Sequence, residues 1–183
     1  MPELLLHGFG GHGQVVQTAL PPDWKIVGFF DKQLPHDWAG DIPYLGVYDP
    51  TVLPEFPLLI TIGDNALRES LVAKAGHSFA NCISPEAFCA PKVPIGEGTV
   101  ILQQAVVQAR ASIGRHVIVN AGAVVDHDAE VGDFVHIGPG AVVASLSKIG
   151  NSCFIGAGAI IPSRCMVPDG TILPPGMVYQ PFT

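Results

Sequence analysis

A short polar segment contains the residue best suited to move a proton. His127 lies between Asp126 and Asp128, in a stretch whose neighbouring positions are mostly apolar. A carboxylate that hydrogen-bonds an imidazole raises the basicity of the ring and fixes its tautomer, as a general base requires. The segment therefore predicts a proton-transfer site at His127. A solvated surface histidine with no role in chemistry is the alternative that the spacing leaves open.

A glycine-rich segment near the N-terminus could bind a phosphate. Gly8, Gly10 and Gly13 match the G-x-G-x-x-G pattern, and Asp31 follows them at close to 20 residues. Bare backbone lets a phosphate approach a helix N-terminus, and a carboxylate at this distance can bind a ribose hydroxyl. Because the surrounding domain is short for a whole dinucleotide, the pattern favours a mononucleotide. A turn that only packs the strand against the helix is the other interpretation.

The predicted base lies in a region that repeats every six residues. Fourteen consecutive sixth positions hold Ile, Val or Leu, and a mostly small residue follows each of them four positions later. A helix cannot keep apolar residues on one face at this period, and hairpins show alternation between irregularly spaced turns. The period predicts a left-handed parallel β-helix of hexapeptide repeats, with three short strands in each coil of about 18 residues. The aliphatic positions are Ile95, Ile101, Val107, Ile113, Val119, Val125, Val131, Ile137, Val143, Ile149, Ile155, Ile161, Val167 and Leu173.

The residues before the repeat alternate between strand-like and helix-like runs. Apolar runs at residues 3–7, 25–30, 58–62 and 78–83 predict strands, and the segments after residue 13 and from about 65 to 75 predict helices. Asp64 or Asn65 is the expected N-cap of the second helix. Residues 33–57 contain five prolines and are predicted to be mostly loop, with a short strand near Tyr44. We therefore predict a Rossmann-like α/β half domain at 1–82 and a β-helix domain at 83–183, whose last coil residues 179–183 cap.

The composition favours self-association of the β-helix. The chain is 48% hydrophobic and only 14% charged, although a solenoid has little interior to fill. A side wall is therefore expected to be buried against other copies. His136 follows His127 by nine residues, which is half a coil, so we expect the two to lie on different sides of one chain. They could meet only across a subunit interface.

Charge and cysteine usage exclude several classes of function. The net charge of −7 argues against binding of nucleic acid or an anionic membrane surface. No run approaches 18 apolar residues and the first residues do not resemble a signal peptide, so a cytoplasmic protein is expected. The four cysteines form no CxxC pair and are interpreted as small core residues in a reducing compartment, with no metal site.

Several ordered motifs resemble one family. They are G-F-G-G-H-G at residues 8–13, Asp31 after the second strand, I-G-D-N-A-L-R at 62–68, and V-D-H-D-A-E-V-G-D-F-V-H-I-G-P-G at 125–140. Together they resemble the sialic-acid O-acetyltransferase-like family of bacterial sugar acetyltransferases, which includes nucleotide-amino-sugar N-acetyltransferases. The resemblance covers essentially the whole chain.

The resemblance implies a homotrimer, built through the β-helix, with active sites between subunits. It implies that His127 is the base, that Asp128 supports it, and that acetyl-CoA is the acyl donor. The implied positions near acetyl-CoA are His136, Asn120, Gly156 and Ala157. The positions implied for the nucleotide-linked amino sugar are Gly11, His12, Gly13, Asp31, Lys32 and Gly63.

The chain departs from the family pattern at two places. The segment L-P-P-G at residues 173–176 replaces the usual ending, which affects expected contacts to the adenine end of coenzyme A. The segment A-S-L-S at 144–147 lacks the usual G-N, which affects expected contacts to pantetheine. Neither segment contains the predicted base.

The expected reaction is acetyl transfer to the 4-amino group of a nucleotide-linked amino-dideoxy sugar. O-acetylation of sialic acid or another sugar is the nearest alternative, since no residue distinguishes an amine acceptor from a hydroxyl. A zinc enzyme of the hexapeptide carbonic-anhydrase type needs three histidine ligands, two of them close in sequence, and the spacing of residues 116, 127 and 136 does not fit. A non-catalytic, nucleotide-sensing scaffold is the remaining alternative.

Overall fold

The computed structural model describes residues 1–34, 38 and 40–180. Parts of the predicted loop at 33–57 and of the predicted C-terminal cap at 179–183 lie outside these residues. Within the described chain the two helices have nine and eight residues, and neither has the length and apolar character needed to cross a membrane.

A small parallel sheet and two helices form the N-terminal part. The elements are β1 (Glu3–His7), α1 (Gly11–Ala19), β2 (Lys25–Phe30), β3 (Leu58–Ile60) and α2 (Asn65–Val72). The strands pair in parallel in the order β2-β1-β3, which confirms the predicted α/β half domain. Asp64 is the N-cap of α2, because its Oδ1 accepts from the backbone N of Leu67 at 2.8 Å. Helix α2 ends before the predicted residue 75.

The predicted strand at residues 78–83 is divided between the two parts of the molecule. Phe79 forms an isolated parallel bridge with Leu58 of the small sheet. Residues Cys82–Ile83 form β4, which pairs instead with Val100–Ile101 in the β-helix. The sequence assigns this strand to the end of the N-terminal part and starts the β-helix at Ile83; the assignment of Cys82 to the small sheet is wrong, because Cys82 already pairs with Val100. The predicted domain boundary at 82/83 falls in this strand and stays a prediction.

The rest of the described chain forms a parallel β-helix of two-residue strands, as the repeat predicts. Strands one coil apart pair in register, so that Val124 and Val125 lie between Val106–Val107 and Val142–Val143. The further strands are β5 (Phe88–Cys89), β6 (Val100–Ile101), β7 (Val106–Val107), β8 (Ser112–Ile113), β9 (Ile118–Val119), β10 (Val124–Val125), β11 (Glu130–Val131), β12 (His136–Ile137), β13 (Val142–Val143), β14 (Lys148–Ile149), β15 (Phe154–Ile155), β16 (Ile160–Ile161), β17 (Met166–Val167) and β18 (Ile172–Leu173).

These strands form three sheets with different outer surfaces. The first residue of each strand points outward, while the second is the inward aliphatic residue of the repeat. The sheet of β5, β7, β10, β13 and β16, here the apolar face, presents Phe88, Val106, Val124, Val142 and Ile160. The sheet of β8, β11, β14 and β17, here the polar face, presents Ser112, Glu130, Lys148 and Met166. The sheet of β4, β6, β9, β12, β15 and β18, here the domain face, packs against the N-terminal part through Cys82 and Val100.

The interior of the coils is closed and apolar. Val119, Val125, Ile137 and Val143 are fully buried, as expected for side chains that fill a narrow prism. All four cysteines are free thiols, and Cys153 and Cys165 lie buried in the small-residue positions, as predicted. From Lys92 onward the third residue of each turn has a positive φ, and nine of these residues are not glycine: Lys92, Gln104, Arg110, His116, Asp128, Phe134, Leu146, Ser152 and Arg164.

Candidate active site

His127 lies in the turn that joins β10 of the apolar face to β11 of the polar face. Its Nδ1 lies 2.7 Å from Oδ2 of Asp128, and its backbone N donates to Oδ1 of Asp126 at 2.7 Å. A carboxylate only accepts hydrogen bonds, so Nδ1 carries a proton, and in the neutral ring Nε2 keeps its lone pair. The side chain is 48% exposed. The arrangement therefore presents an accessible base with a fixed tautomer.

Arg110 holds the carboxylate that supports His127. It lies one coil before Asp128, and its Nε and Nη2 donate to the two carboxylate oxygens at 2.7 Å each. The hydrogen bond from Arg110, followed by that from His127, holds the pKa of Asp128 well below its usual range, and the same bond raises the pKa of Arg110. Arg110 was not predicted. The 18-residue coil was the available signal, since it places residue 110 directly below residue 128.

His136 belongs to a second group, on the domain face. Its Nδ1 lies 3.0 Å from the carbonyl O of Gly63, and its Nε2 lies 3.3 Å from Nδ2 of Asn120. The Oδ1 of Asn120 accepts from the backbone N of Ala121 at 2.8 Å. Burial lowers the pKa of His136, although the hydrogen bond with Gly63 acts in the opposite direction. The ring of Phe154 contacts His136 edge-on at 5.2 Å between centroids.

The N-terminus of α1 completes this second group. Gly10 is the N-cap and provides no side-chain cap, and the first intrahelical hydrogen bond is from Gln14 N to Gly10 O, so the N–H groups of 11–13 have no intrahelical acceptor. A Cβ on Gly11 would meet nothing within 4 Å, whereas one on Gly13 would collide with the carbonyl of Gly8. Gly13 therefore permits close packing, and Gly11 leaves the helix end open.

His12 extends from this helix end towards His136. The two ring centroids are 6.3 Å apart, and Nε2 of His12 is buried without a partner in the described part of the chain. Burial, helped by His136 and Arg68, lowers the pKa of His12 to about 4. His12 is therefore neutral at physiological pH.

Asp31 and Lys32 follow β2 at the edge of the small sheet. The two oxygens of Asp31 accept from the backbone N of Phe9 and of Lys32, each at 2.7 Å. A cavity of about 220 Å³ opens beside them, lined also by Tyr48 and Lys74. The predicted substrate residues thus border a cavity, and Asp31 also fixes the start of the glycine-rich loop.

Gly156 and Ala157 lie in one of the turns between the domain face and the apolar face. We name the last four of these turns, at residues 120–123, 138–141, 156–159 and 174–177, the glycine corner. Their third residues are all glycines with positive φ, and a Cβ on any of them would meet nothing within 4 Å. Nine other residues adopt this conformation without being glycine, so the backbone alone does not require them. The glycine corner therefore exposes a strip of bare backbone.

The predicted site residues form two separate groups in one chain. His127 and Asp128 lie at the corner between the apolar and polar faces, and His136, Asn120, Gly63 and His12 lie around the domain face and the glycine corner. The apolar face, with β10, separates them. Over residues 1–34, 38 and 40–180, no three His, Cys, Asp or Glu side chains form a group that could hold a metal ion.

Two family models match the chain. The PglD N-terminal domain matches residues 3–75, and the bacterial transferase hexapeptide (six repeats) matches residues 110–145. UDP-N-acetylbacillosamine N-acetyltransferase of Bacillus subtilis (strain 168) is 29% identical over 112 residues, which are 56% of this chain and 52% of that protein. An uncharacterised protein of Acanthamoeba polyphaga mimivirus is 34% identical over 95 residues, 50% of this chain. The chain thus spans 52% and 19% of the two relatives' lengths.

Solved structures match over nearly the whole chain. A His-to-Asn variant of perosamine N-acetyltransferase from Caulobacter crescentus, in complex with CoA and GDP-perosamine, is 32% identical with a TM-score of 0.89. The alignment covers 98% of this chain and 89% of that one. The acetyltransferase domain of PglB from Neisseria gonorrhoeae FA1090, in complex with acetyl coenzyme A, is 32% identical with a TM-score of 0.82, covering 96% of this chain and 94% of that one.

Proposed function

The chain belongs to the hexapeptide-repeat family of bacterial sugar acetyltransferases, and from that premise we propose that it transfers acetyl from acetyl-CoA to the 4-amino group of a nucleotide-linked amino-dideoxy sugar. The observation that carries the proposal is the His127–Asp128–Arg110 arrangement, in which Nε2 of His127 has no partner among the described residues. The similar perosamine enzyme, solved with CoA and a nucleotide-linked amino sugar, supports this choice of donor and acceptor class.

The reaction needs one proton to move from nitrogen to sulfur. The neutral amine attacks the acetyl carbonyl, a C–N bond forms, and the C–S bond of the thioester breaks. Nε2 of His127 takes the proton that the amine loses and returns it to the departing thiolate. Asp128 accepts from Nδ1 throughout and stabilises the imidazolium. The side-chain amide N–H of Asn120 is a candidate hydrogen-bond donor to the acetyl carbonyl oxygen, which becomes negative when the amine attacks.

The glycine corner is the proposed track for the pantetheine arm of acetyl-CoA. The glycines at the third position of its four turns expose backbone that side chains would otherwise cover, and Gly156, Ala157 and Gly158 belong to one of these turns. We therefore expect a Cβ at these glycines to obstruct the binding of acetyl-CoA. His136 and Asn120 lie at one end of this track, where we propose the thioester binds.

The nucleotide part of the acceptor is proposed to bind the N-terminal half domain. The open N–H groups of residues 11–13 suit a phosphate, since a helix N-terminus favours negative charge. Asp31 and Lys32, beside the cavity that follows β2, are proposed to bind the nucleoside. Gly63 and His12 would then border the sugar.

A homotrimer is part of the same proposal. The apolar face presents Val or Ile in four consecutive coils and Phe88 in the first, and Phe88 and Ile160 are 53% and 41% exposed in a single chain. Exposed apolar stripes of this kind indicate a protein interface. Packing around a three-fold axis joins two different edges of this face, which brings the His127 corner of one subunit to the glycine corner of the next.

Release of thiol from acetyl-CoA tests the proposal. We would assay UDP-, GDP- and dTDP-linked 4-amino sugars and free sialic acid. One nucleotide-amino sugar should release thiol, and His127→Ala should lower kcat by at least ~10². Ser163→Ala, two coils along the same corner, should retain wild-type turnover. Turnover of sialic acid alone would replace N-acetylation with O-acetylation, and near-normal turnover by His127→Ala would remove His127 from its role.

A further inference from the structure

Arg68 is a buried cation that no carboxylate neutralises by a direct bond within the described chain. The side chain lies in α2 and is 1% exposed. Burial lowers its pKa to about 10, so it stays charged at physiological pH. All five N–H groups have an acceptor: Nε donates to His116 O at 2.9 Å, Nη1 to Ile62 O at 2.9 Å and Gly63 O at 3.3 Å, and Nη2 to Asn65 Oδ1 at 2.8 Å and Phe134 O at 2.9 Å.

These acceptors belong to two different parts of the molecule. Ile62 and Gly63 lie in the loop between β3 and α2, whereas His116 and Phe134 lie in turns of two successive coils. One side chain therefore fixes the 62–63 loop against the β-helix. The burial of a charge without a direct counter-ion costs free energy unless each of its N–H donors has an acceptor. All five N–H donors of Arg68 have one. A simple packing contact would not require a cation.

The carbonyl of Gly63 joins Arg68 to His136. It accepts from Nη1 of Arg68 and lies 3.0 Å from Nδ1 of His136. A carbonyl oxygen has two lone pairs and can accept both bonds. Since a carbonyl cannot donate, Nδ1 of His136 must carry the ring proton.

The hydrogen bond at Nε2 of His136 independently leads to the same tautomer. The Oδ1 of Asn120 accepts from the backbone N of Ala121, so the Nδ2 group of this amide is the one that faces His136. Nδ2 only donates, and therefore Nε2 of His136 must be an acceptor without a proton. Both ends require the neutral Nδ1–H tautomer. Burial of the ring is the main cause of the lowered pKa of His136; the hydrogen bond with Gly63 acts in the opposite direction, and the charge of Arg68 lowers the pKa further.

We propose that Arg68 is a positioning residue, which acts through the Gly63 carbonyl to hold His136 in the Nδ1–H tautomer and thereby orients the amide of Asn120. The second Nδ2–H of Asn120 meets no acceptor within the described residues of the chain. We name the hydrogen bonds from Arg68 through Gly63 and His136 to Asn120 the relay. The relay leaves one side-chain N–H of Asn120 available as a donor to the acetyl oxygen. This consequence rests on the proposed acetyl transfer, whereas the tautomer does not.

The wild-type protein provides the first test. Histidine labelled with ¹⁵N would be examined at pH 7.5 by two-bond ¹H–¹⁵N correlation, with His136→Gln used to assign the signal. We expect a protonated Nδ1 and an unprotonated Nε2 at His136. An Nε2–H tautomer or an imidazolium would overturn the proposal, whatever the activity.

Two variants test the relay from opposite ends. In Arg68→Met the His136 ring should lose its single tautomer, and kcat should fall by about 10²-fold with KM for acetyl-CoA changed less than about threefold. In Asn120→Asp the new carboxylate accepts from Nε2, so both nitrogens of His136 should become protonated. An unchanged His136 signal in Asn120→Asp, or in folded Arg68→Met, would contradict the relay.

The measurements separate this proposal from the proposed function. If Arg68→Met does not fold, the wild-type tautomer and Asn120→Asp still decide, since neither removes the buried charge. If no amino sugar is acetylated, the His136 signals are unaffected and only the proposed function fails. Normal kcat in a folded Arg68→Met protein, together with turnover by the wild type, would refute the positioning role alone.

Discussion

His127 and His136 are held in the same Nδ1–H tautomer, but they differ in whether Nε2 is available to act as a base. In both rings Nδ1 donates to an oxygen, that of Asp128 in one case and that of Gly63 in the other. The Nε2 of His136 is engaged by Asn120, whereas the His127 side chain is 48% exposed and its Nε2 meets no partner in the described part of the chain. A base needs an available lone pair, so the geometry favours His127 over His136.

Arg110 should matter for turnover because it fixes the orientation of Asp128. Replacement by Gln removes two hydrogen bonds of 2.7 Å, after which the carboxylate can rotate away from Nδ1 of His127. We expect Arg110→Gln to lower kcat by roughly 10-fold, with little change in KM for either substrate. Initial rates at saturating acetyl-CoA would measure this effect.

Arg115 offers a matched control for that experiment. It also forms an ion pair with an aspartate one coil along, in which Nε and Nη2 both donate to Oδ2 of Asp133, at 3.1 and 2.9 Å, but at a corner remote from His127. Arg115→Gln should therefore leave kcat unchanged, and exposed pairs of this kind contribute little to stability. Equal losses of kcat in the two variants would show that Arg110 acts only through the fold.

The sequence predicted the His127 site because its partners are adjacent in the chain. Asp126 and Asp128 need only a turn to reach His127. The contact between His136 and Gly63 joins residues 73 apart and depends on how α2 rests on the coils, which no local pattern specifies. Arg68 was visible only as a motif position, since four of its five acceptors are backbone carbonyls and leave no side-chain pattern.

At the scale of elements, the repeat predicts more of the fold than the N-terminal half does. An aliphatic residue at every sixth position fixes both strand register and the inward face, so the β-helix follows almost directly. The segment at 78–83 was assigned to the wrong sheet in part, because local strand propensity does not reveal which partner a strand will find.

A substitution in the glycine corner should show whether this surface binds acetyl-CoA. Gly158 has a φ of +64°, and a Cβ there would meet nothing within 4 Å. Gly158→Ala should therefore fold, with backbone strain of about 1 kcal/mol. Its new methyl group lies on the proposed pantetheine track, so we expect KM for acetyl-CoA to rise at least ~5-fold, which a CoA titration of initial rates would measure.

Gly170 is the matched control for this substitution. It has a φ of +68° and equally open surroundings, but it lies in a turn between the polar face and the domain face. Gly170→Ala should lower the melting temperature as much as Gly158→Ala does while leaving KM for acetyl-CoA unchanged. A parallel rise in KM in both variants would indicate a general effect of strain.

At the scale of the whole molecule, we propose that a second chain brings the two groups of site residues together. His127 and Asn120 lie in turns at opposite ends of β10, on the two edges of the apolar face. A three-fold arrangement joins unlike edges of neighbouring chains. Each complete site would then take His127 and Asp128 from one subunit and Asn120 and His136 from the next.

Mixing two inactive variants tests this arrangement. His127→Ala and Asn120→Ala trimers should each be nearly inactive, but co-refolding them should restore activity. Random assortment gives about one quarter of the interfaces an intact His127 from one chain and an intact Asn120 from the other. Turnover should therefore recover to about a quarter of the wild-type value per site.

Mixing His127→Ala with Asp128→Ala is the control, because both residues come from the same edge and no interface regains both. Recovery only in the first mixture requires shared sites, whereas silence despite mixed trimers by native mass spectrometry would place each site within one chain.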